Sequence, residues 1–146
     1  MILSAELLLS DDQAITSTAA STNYIDRGAP GTPHGAAAAL DNDWAPGQPV
    51  PFEVLVNEAF TAAGAATLTV DLEMDDNTSF SSATTVLTSG AIGKATLIIG
   101  YNCFAGLYLP EGITERYLRL NYTVTTGPMT AGKITAGISG GRQTNQ

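Results

Sequence analysis

Apolar and polar residues alternate along several stretches of the chain, and this alternation predicts β-strands. Between Ala66 and Met74 every second residue is apolar, and Tyr117 to Thr125 repeats the pattern. Because successive side chains of a strand point to opposite faces, each stretch has one face for a core and one for solvent. The two stretches supply seven predicted core residues: Leu68, Val70, Leu72, Leu118, Leu120, Tyr122 and Val124.

Shorter apolar runs extend this pattern over most of the chain. Turn-forming residues separate the runs at intervals near the roughly 8–12 residues that are typical of a β-sandwich or barrel. Helical periodicity is hard to find beyond the first dozen residues. The predicted strands number about eight or nine, which favours an antiparallel all-β domain. The further runs are 50–56, 134–138, 14–16, 23–25, 85–88, 95–99 and 106–109.

Three segments do not fit the strand pattern. Residues 1–12 form an apolar N-terminal arm, which we expect to be buried against a neighbouring subunit or a larger assembly. Residues 28–51 contain most of the prolines together with His34 and Trp44, and we expect a long Pro/Gly-rich loop there. Residues 140–146 are predicted to be a flexible tail.

Length and charge limit the classes of function. A chain of 146 residues is expected to form one domain whose core is large enough to fold without disulfides or a metal. Only 14% of the residues are charged and the formal net charge is −8, which argues against binding of nucleic acid by a basic surface. The chain shows neither a membrane-spanning run of ~18 apolar residues nor the positive start of a signal peptide. We therefore expect no membrane contact and synthesis in a cytoplasm.

Motifs for catalysis are incomplete. Gly137 to Gly141 matches the G-x-S-x-G pattern of a nucleophile elbow, but such a site needs a later histidine and none follows. Gly90 to Thr96 resembles a phosphate-binding loop, but its glycine spacing is wrong and Ala95 stands where a serine or threonine is required. We therefore expect neither enzyme activity nor a cofactor.

Candidate metal ligands are also sparse. Asp71, Glu73 and Asp75 share one face of a predicted strand, but a calcium loop read from Asp71 lacks the required glycine and glutamate. We interpret them as a solvated acidic stripe that discourages pairing at a sheet edge, with docking of a basic partner as the alternative. His34 is the only histidine and is expected to be exposed, whereas Cys103, the only cysteine, is expected to be a buried thiol. No metal site is predicted.

Longer stretches of the chain resemble a known family. The segments EAFTAAGAATLTV (58–70) and DNTSFSSA (76–83) are similar to the central part of the capsid cement proteins of short-tailed Bordetella-type bacteriophages. ERYLRLNYTV (115–124) and GPMTAGK (127–133) resemble the C-terminal part of that family, and residues 1–3 and 10–14 resemble its opening. Together these segments are spread along most of the chain, from residue 1 to residue 133.

The resemblance implies a jelly-roll domain that binds the outer surface of an assembled capsid and stabilises contacts between capsomers. The implied partners are the phage major capsid protein and further copies of the chain, as a dimer or trimer, and the implied location is the virion. A jelly roll has eight strands in two sheets, which agrees with the predicted strands. The alternative is a carbohydrate- or receptor-binding jelly roll of a phage tail, which needs an aromatic side chain presented on a groove. Trp44 and Tyr24 are the candidates for that role.

The candidate capsid or subunit contacts lie in the two segments outside the strand pattern. The N-terminal arm supplies apolar surface, and the long loop supplies an aromatic residue flanked by carboxylates that could meet basic capsid residues. Trp44 leaves two interpretations open, because a large aromatic on such a loop either packs beneath it or is presented to a partner. The predicted contacts are Ile2, Leu3, Leu7, Asp41, Asp43 and Trp44.

Overall fold

The computed structural model describes residues 3–29, 31–39, 44, 47–104 and 108–140, and these ranges contain nine strands and no helical residue. All strand pairings within them are antiparallel. The prediction of an antiparallel all-β chain is therefore confirmed, and no helix that could cross a membrane occurs in the described ranges. The strands are β1 (Leu3–Ala14), β2 (Ala19–Ala20), β3 (Ile25–Asp26), β4 (Phe52–Thr61), β5 (Thr67–Asp75), β6 (Thr84–Thr88), β7 (Ile92–Gly93), β8 (Tyr117–Thr125) and β9 (Ala131–Ser139).

The strands form two sheets. The small sheet has the order β1-β9-β4, and the large sheet has the order β2-β8-β5-β6, with β3 also paired to β8 and β7 to β5. In the large sheet β5 and β8 pair in continuous register from Thr67 opposite Thr125 to Asp75 opposite Tyr117. This register places the apolar residues of both strands on one face, as the alternation predicts. Six of the seven predicted core residues are buried, and Val124 is half-buried against the same core.

One hydrophobic core joins the two sheets into a sandwich. The side chains of Val54 and Ile134 from the small sheet pack in the same cluster as Leu72 and Leu120 from the large sheet. A buried hydrogen bond of 2.8 Å between the hydroxyls of Ser10 and Tyr122 also links the sheets. Burial raises the pKa of Tyr122 above its usual value, so its hydroxyl stays neutral within the core.

Residues beyond β7 run along the free edge of β4. The amide of Val56 donates to the carbonyl of Tyr101 at 3.0 Å, and the amide of Cys103 donates to the carbonyl of Val54 at 2.9 Å. The chain therefore occupies the place of a fourth strand in the small sheet without forming a regular strand there. This arrangement supports the jelly-roll prediction, which requires eight strands in two sheets. The sandwich is established, and the jelly-roll topology stays a prediction.

The structure corrects the expectation of an N-terminal arm outside the sandwich. Residues 3–14 form β1 and pair with β9, and Leu9 is fully buried in the core. The register of β1 shifts at three places, so its apolar residues do not follow a period of two and the strand is hard to recognise from sequence. Residues 1–2 and the predicted tail from 141 onwards lie outside the described residues.

Two further expectations from sequence are wrong. The apolar run 95–99 forms turns instead of a strand. The acidic residues of β5 do not lie on a solvated sheet edge, because β5 is a central strand between β8 and β6. Asp71 and Glu73 are half-buried and Asp75 is buried.

Candidate interaction surface

The predicted contact residues do not form one exposed patch among the residues that the structure describes. Leu3 and Leu7 are half-buried in β1, and Leu7 packs against the core. Trp44 is also half-buried against the core, and the guanidinium carbon of Arg27 lies 5.2 Å from the centre of its ring. Trp44 therefore packs partly within the chain. The other predicted contacts, Ile2, Asp41 and Asp43, lie outside the described residues.

The most exposed large aliphatic side chains in the described ranges are those of Ile98 and Ile99, which we call the isoleucine tip. Their exposed fractions are 59% and 71%, whereas the preceding Leu97 is fully buried. The tip projects because both of its ends are hydrogen-bonded to β4: the amide of Phe60 donates to the carbonyl of Leu97 at 3.0 Å, and the amide of Gly100 donates to that of Val56 at 2.8 Å.

The isoleucine tip is not predictable from a strand pattern, because an apolar run with high β-propensity predicts a strand. In a half-buried strand only one of two successive residues would face solvent. The useful signal was the unbroken run of Leu97, Ile98 and Ile99, which departs from the period of two and lies between Gly93 and Gly100. Two adjacent exposed isoleucines are unusual for a solvated turn, and they are suited to burial in an interface.

A second surface lies on the large sheet, where three aromatic rings and two arginines form what we call the aromatic–arginine cluster. The rings of Tyr24 and Tyr117 meet edge to face with centres 5.6 Å apart, and the centres of Tyr24 and Phe80 are 6.4 Å apart. The guanidinium of Arg116 lies 5.0 Å from the centre of Tyr117, and that of Arg119 lies 4.3 Å from the centre of Phe80. Tyrosine and arginine are enriched among the residues that dominate interface energies.

Ion pairs fix both arginines of the cluster. Arg116 makes two parallel hydrogen bonds to Asp26, of 2.7 and 2.8 Å, and Arg119 binds Glu73 at 2.8 Å. The hydrogen bond from Arg116, helped by the backbone amide of Gly28, holds the pKa of Asp26 below its usual value. The cluster is therefore electrically balanced, and its arginine planes are held in place by carboxylates.

Asp75 organises the turn after β5. Its carboxylate accepts hydrogen bonds from the amide of Ser82 at 2.9 Å, from the Ser82 hydroxyl at 3.1 Å and from Nδ2 of Asn77 at 2.8 Å. Burial by itself raises the pKa of Asp75, but hydrogen bonds with the backbone amide of Ser82, the Asp76 side chain, the backbone amide of Asn77 and the Ser82 hydroxyl outweigh it, so the net pKa lies below the usual value. Asp75 therefore has a structural role in the turn, and the described residues contain no group of three or more acidic, histidine or cysteine side chains placed to hold a metal ion.

Comparison with known proteins assigns the chain to a family. A family model described as Bbp16 matches residues 9–138. The chain belongs to the Bbp16 family. The name indicates a protein of a Bordetella phage, in agreement with the phage resemblance seen in the sequence. No curated protein matches the chain.

The Bbp16 match covers the sandwich, since it begins at the buried Leu9 of β1 and ends at the buried Ile138 of β9. In this Bbp16-family chain, key residues of the two incomplete catalytic motifs, Gly137 to Gly141 and Gly90 to Thr96, have structural roles. Ser139 is the last residue of β9, and the Lys94 ammonium donates to the backbone carbonyl of Ala62. Cys103 is buried as expected, and burial raises its pKa to about 12, so the thiol is protonated at neutral pH. His34 is exposed, as predicted.

Proposed function

We propose that this Bbp16-family chain is a capsid cement protein, which binds the outer surface of an assembled phage capsid and stabilises contacts between capsomers. The observation that carries the proposal is the family match over residues 9–138, because the family name points to a phage protein. The all-β sandwich and the low content of charged side chains, 14%, agree with a structural role. In this proposal the protein is part of the virion and is not an enzyme.

Stabilisation of a capsid requires no reaction. A protein that binds the assembled shell and not its free subunits shifts the equilibrium towards the shell as its concentration exceeds the dissociation constant. If the cement protein is a dimer or trimer, binding of one of its chains to a capsid subunit raises the effective concentration of its other chains at the neighbouring capsid subunits. Modest individual interfaces then give persistent attachment to the major capsid protein.

The isoleucine tip is the best-supported apolar anchor for this attachment. It exposes two large side chains on a backbone held rigid at both ends, so little conformational freedom is lost on binding. Leu3 and Trp44 stay as predicted contacts, although both already pack partly within the chain. Removal of the whole segment 1–9 is unsuitable as a test, because it would delete the fully buried Leu9.

The test is co-sedimentation of purified protein with capsids that lack it, beside a melting curve for the capsids. We expect the parent protein to sediment with capsids and to raise their melting temperature. The double variant Ile98→Ser/Ile99→Ser should bind more weakly while its own melting temperature is unchanged. Tyr108→Ser is the matched control, since Tyr108 is a comparably exposed apolar residue with 53% exposure.

Two results would contradict the proposal at different levels. Failure of the parent protein to bind or stabilise capsids would reject the cement function. Equal binding by the parent and the isoleucine variant would reject only the assignment of the tip as the anchor, and Leu3→Ser and Trp44→Ala would then be compared. Light scattering tests the oligomer: we expect two or three times the chain mass of 15.1 kDa, and a mass near 15.1 kDa would contradict the expectation.

A further inference from the structure

A groove of about 400 Å³ lies between β1 and the segment that leads from β2 to β3. It exists because β1 bulges. From the pair Leu3–Ser139 to the pair Leu8–Gly137, β1 advances from residue 3 to 8 while β9 moves only from 139 to 137, so three residues of β1 are in excess. The residues that line the groove are Ala5, Glu6, Leu8, Thr22, Asn23 and Tyr24.

Gly137 makes this bulge possible. A Cβ atom at this position would lie 2.6 Å from the carbonyl oxygen of Leu7 and 3.1 Å from the Cα of Leu8. Both distances are too short for a carbon contact that does not displace the backbone. The close approach of β1 to β9 therefore requires a glycine at position 137. Ala5 and Glu6 lie in the bulged part of β1 and line the groove.

The opposite wall of the groove is held in place by hydrogen bonds to β1. The backbone amide of Asn23 donates to the carbonyl of Leu9 at 2.9 Å, and its side-chain amide donates to the carbonyl of Leu8 at 3.3 Å. The amide of Thr22 donates to Oε1 of Gln13 at 2.9 Å. These hydrogen bonds hold the backbone of Thr22 and Asn23 in position beside the groove.

Tyr24 supplies the aromatic side chain among the residues that line the groove. Its ring is held by Tyr117 and Phe80 of the aromatic–arginine cluster, yet 48% of the residue is exposed. A ring that is held by two others and still faces solvent presents apolar surface with little loss of conformational freedom on binding. The exposed carboxylate of Glu6 lines the same groove and supplies a strong hydrogen-bond acceptor.

We propose that this groove binds a neutral saccharide. The apolar C–H face of a sugar ring would stack on Tyr24, while sugar hydroxyls donate to Glu6 and exchange hydrogen bonds with Thr22 and Asn23. A few placed polar groups beside an aromatic side chain can fix the orientation of a small molecule, and the volume of about 400 Å³ lies at the lower end of the range for small-molecule sites. Glu6 and the net charge of −8 disfavour acidic sugars and phosphates.

Binding is tested on the full chain by saturation-transfer and amide-shift NMR. The probes are the methyl glycosides of neutral hexoses, 6-deoxyhexoses and N-acetylhexosamines, the corresponding disaccharides, and a methyl uronide as the acidic comparison. At about 10 mM ligand, a concentration that reveals even millimolar dissociation constants, we expect at least one neutral class to shift the amides of residues 5–8 and 22–24. The uronide should bind more weakly than the neutral sugar of the same configuration.

Variants separate the groove from other aromatic surface. Tyr24→Ala and Glu6→Ala should each weaken saccharide binding by about tenfold or more, and Tyr24→Phe should retain most of it. Tyr108→Ala, which removes an exposed tyrosine elsewhere, should bind like the parent. Glu6 is exposed, so its variant keeps the test valid if Tyr24→Ala unfolds.

Absence of shifts with every neutral probe would overturn the inference, and so would Glu6→Ala binding as well as the parent. Neither outcome bears on the cement function, because capsid co-sedimentation is measured without any saccharide.

Discussion

The two sheets of the sandwich differ in how closely burial follows the alternation of the sequence. In the large sheet, the apolar residues of β5 and β8 face the core, and the residues between them are half-buried or exposed. In the small sheet, β9 is buried without interruption from Ile134 to Ser139, and β4 buries Glu53 between Phe52 and Val54. Burial therefore alternates with a period of two along the strands of the large sheet, but not along those of the small sheet.

The difference shows what the alternation measures. A strand alternates in polarity when only one of its faces meets the core, which is the case for β8. The outer face of β9 is also shielded, so Thr135 and Ser139 are buried on the side opposite to Ile134 and Ile138. Small residues, including Gly132, Ala136 and Gly137, allow β9 to be buried on both faces.

The largest effect is expected from a cavity in the regular sheet. Leu120 is fully buried and lies opposite Leu72 in the centre of the large sheet. Leu120→Ala should lower the free energy of unfolding by about 2–5 kcal/mol, since the lost methyl groups leave a cavity. The continuously paired strands around Leu120 cannot move in to fill it. Urea unfolding followed by far-UV circular dichroism measures the change. A loss well under about 1 kcal/mol would show that this part of the large sheet can repack.

A steric test addresses the irregular sheet. Gly137→Ala places a Cβ 2.6 Å from the carbonyl oxygen of Leu7, so β1 must shift, and we expect a loss of about 1–3 kcal/mol. Gly93→Ala is the control, because a Cβ at Gly93 in β7 meets no described atom within 4 Å. The same urea titration compares the two variants. If they unfold at the same concentration, the bulge of β1 is not held by the close approach at Gly137.

A matched pair of serines tests how the small sheet tolerates buried polar groups. The Ser10 hydroxyl bonds to Tyr122 at 2.8 Å, whereas the buried Oγ of Ser139 has no partner within the described part of the chain. Ser10→Ala leaves the Tyr122 hydroxyl buried and unpaired, so we expect a loss of about 1–2 kcal/mol. Ser139→Ala removes an unpaired group and should be neutral or stabilising by up to about 1 kcal/mol. Equal losses in both variants would mean that Ser139 is hydrogen-bonded in solution.

The same contrast explains how much of the molecule could be predicted from its sequence. Alternation identifies β4, β5, β8 and β9 and the main core, because those strands have continuous apolar faces. It does not identify β1, where the bulges displace the pattern, and the apolar run of the isoleucine tip predicts a strand that the structure does not contain. Gly137 matches part of a catalytic motif in the sequence, but in the structure it allows the backbones of β1 and β9 to approach closely.

The candidate surfaces were harder to predict than the fold. Tyr24 was recognised as a candidate aromatic, but its partners Phe80 and Tyr117 lie far away in the chain. Pairing of β3 with β8 places Asp26 opposite Tyr117, whereas Phe80 lies in the segment that follows β5, which also pairs with β8. The groove beside Tyr24 also depends on a register shift, and a sequence pattern contains no information on that register.

The smallest expected effect concerns acid sensitivity in the large sheet. Hydrogen bonds with Ser82, Asp76 and Asn77 outweigh the effect of burial and hold the pKa of Asp75 below the ordinary value of 3.8. At about pH 5 and above, well over the ordinary pKa of an unfolded aspartate, the carboxylate is ionised in both states, so its contribution to stability is complete. As the pH falls further, the unfolded chain takes up the proton first, and that contribution is lost until the folded state is protonated too.

Asp75→Asn should therefore lower the melting temperature at neutral pH and reduce its further fall between about pH 5 and pH 2. Thermal unfolding of the parent and the variant across this range measures the effect, and Asp11→Asn, at an exposed position of β1, is the control. If the parent and Asp75→Asn lose stability in parallel as the pH falls, then Asp75 is not a source of acid sensitivity. That sensitivity would then lie in exposed pairs such as Asp26–Arg116 and Asp12–Lys133, whose carboxyl pKa values are also lowered.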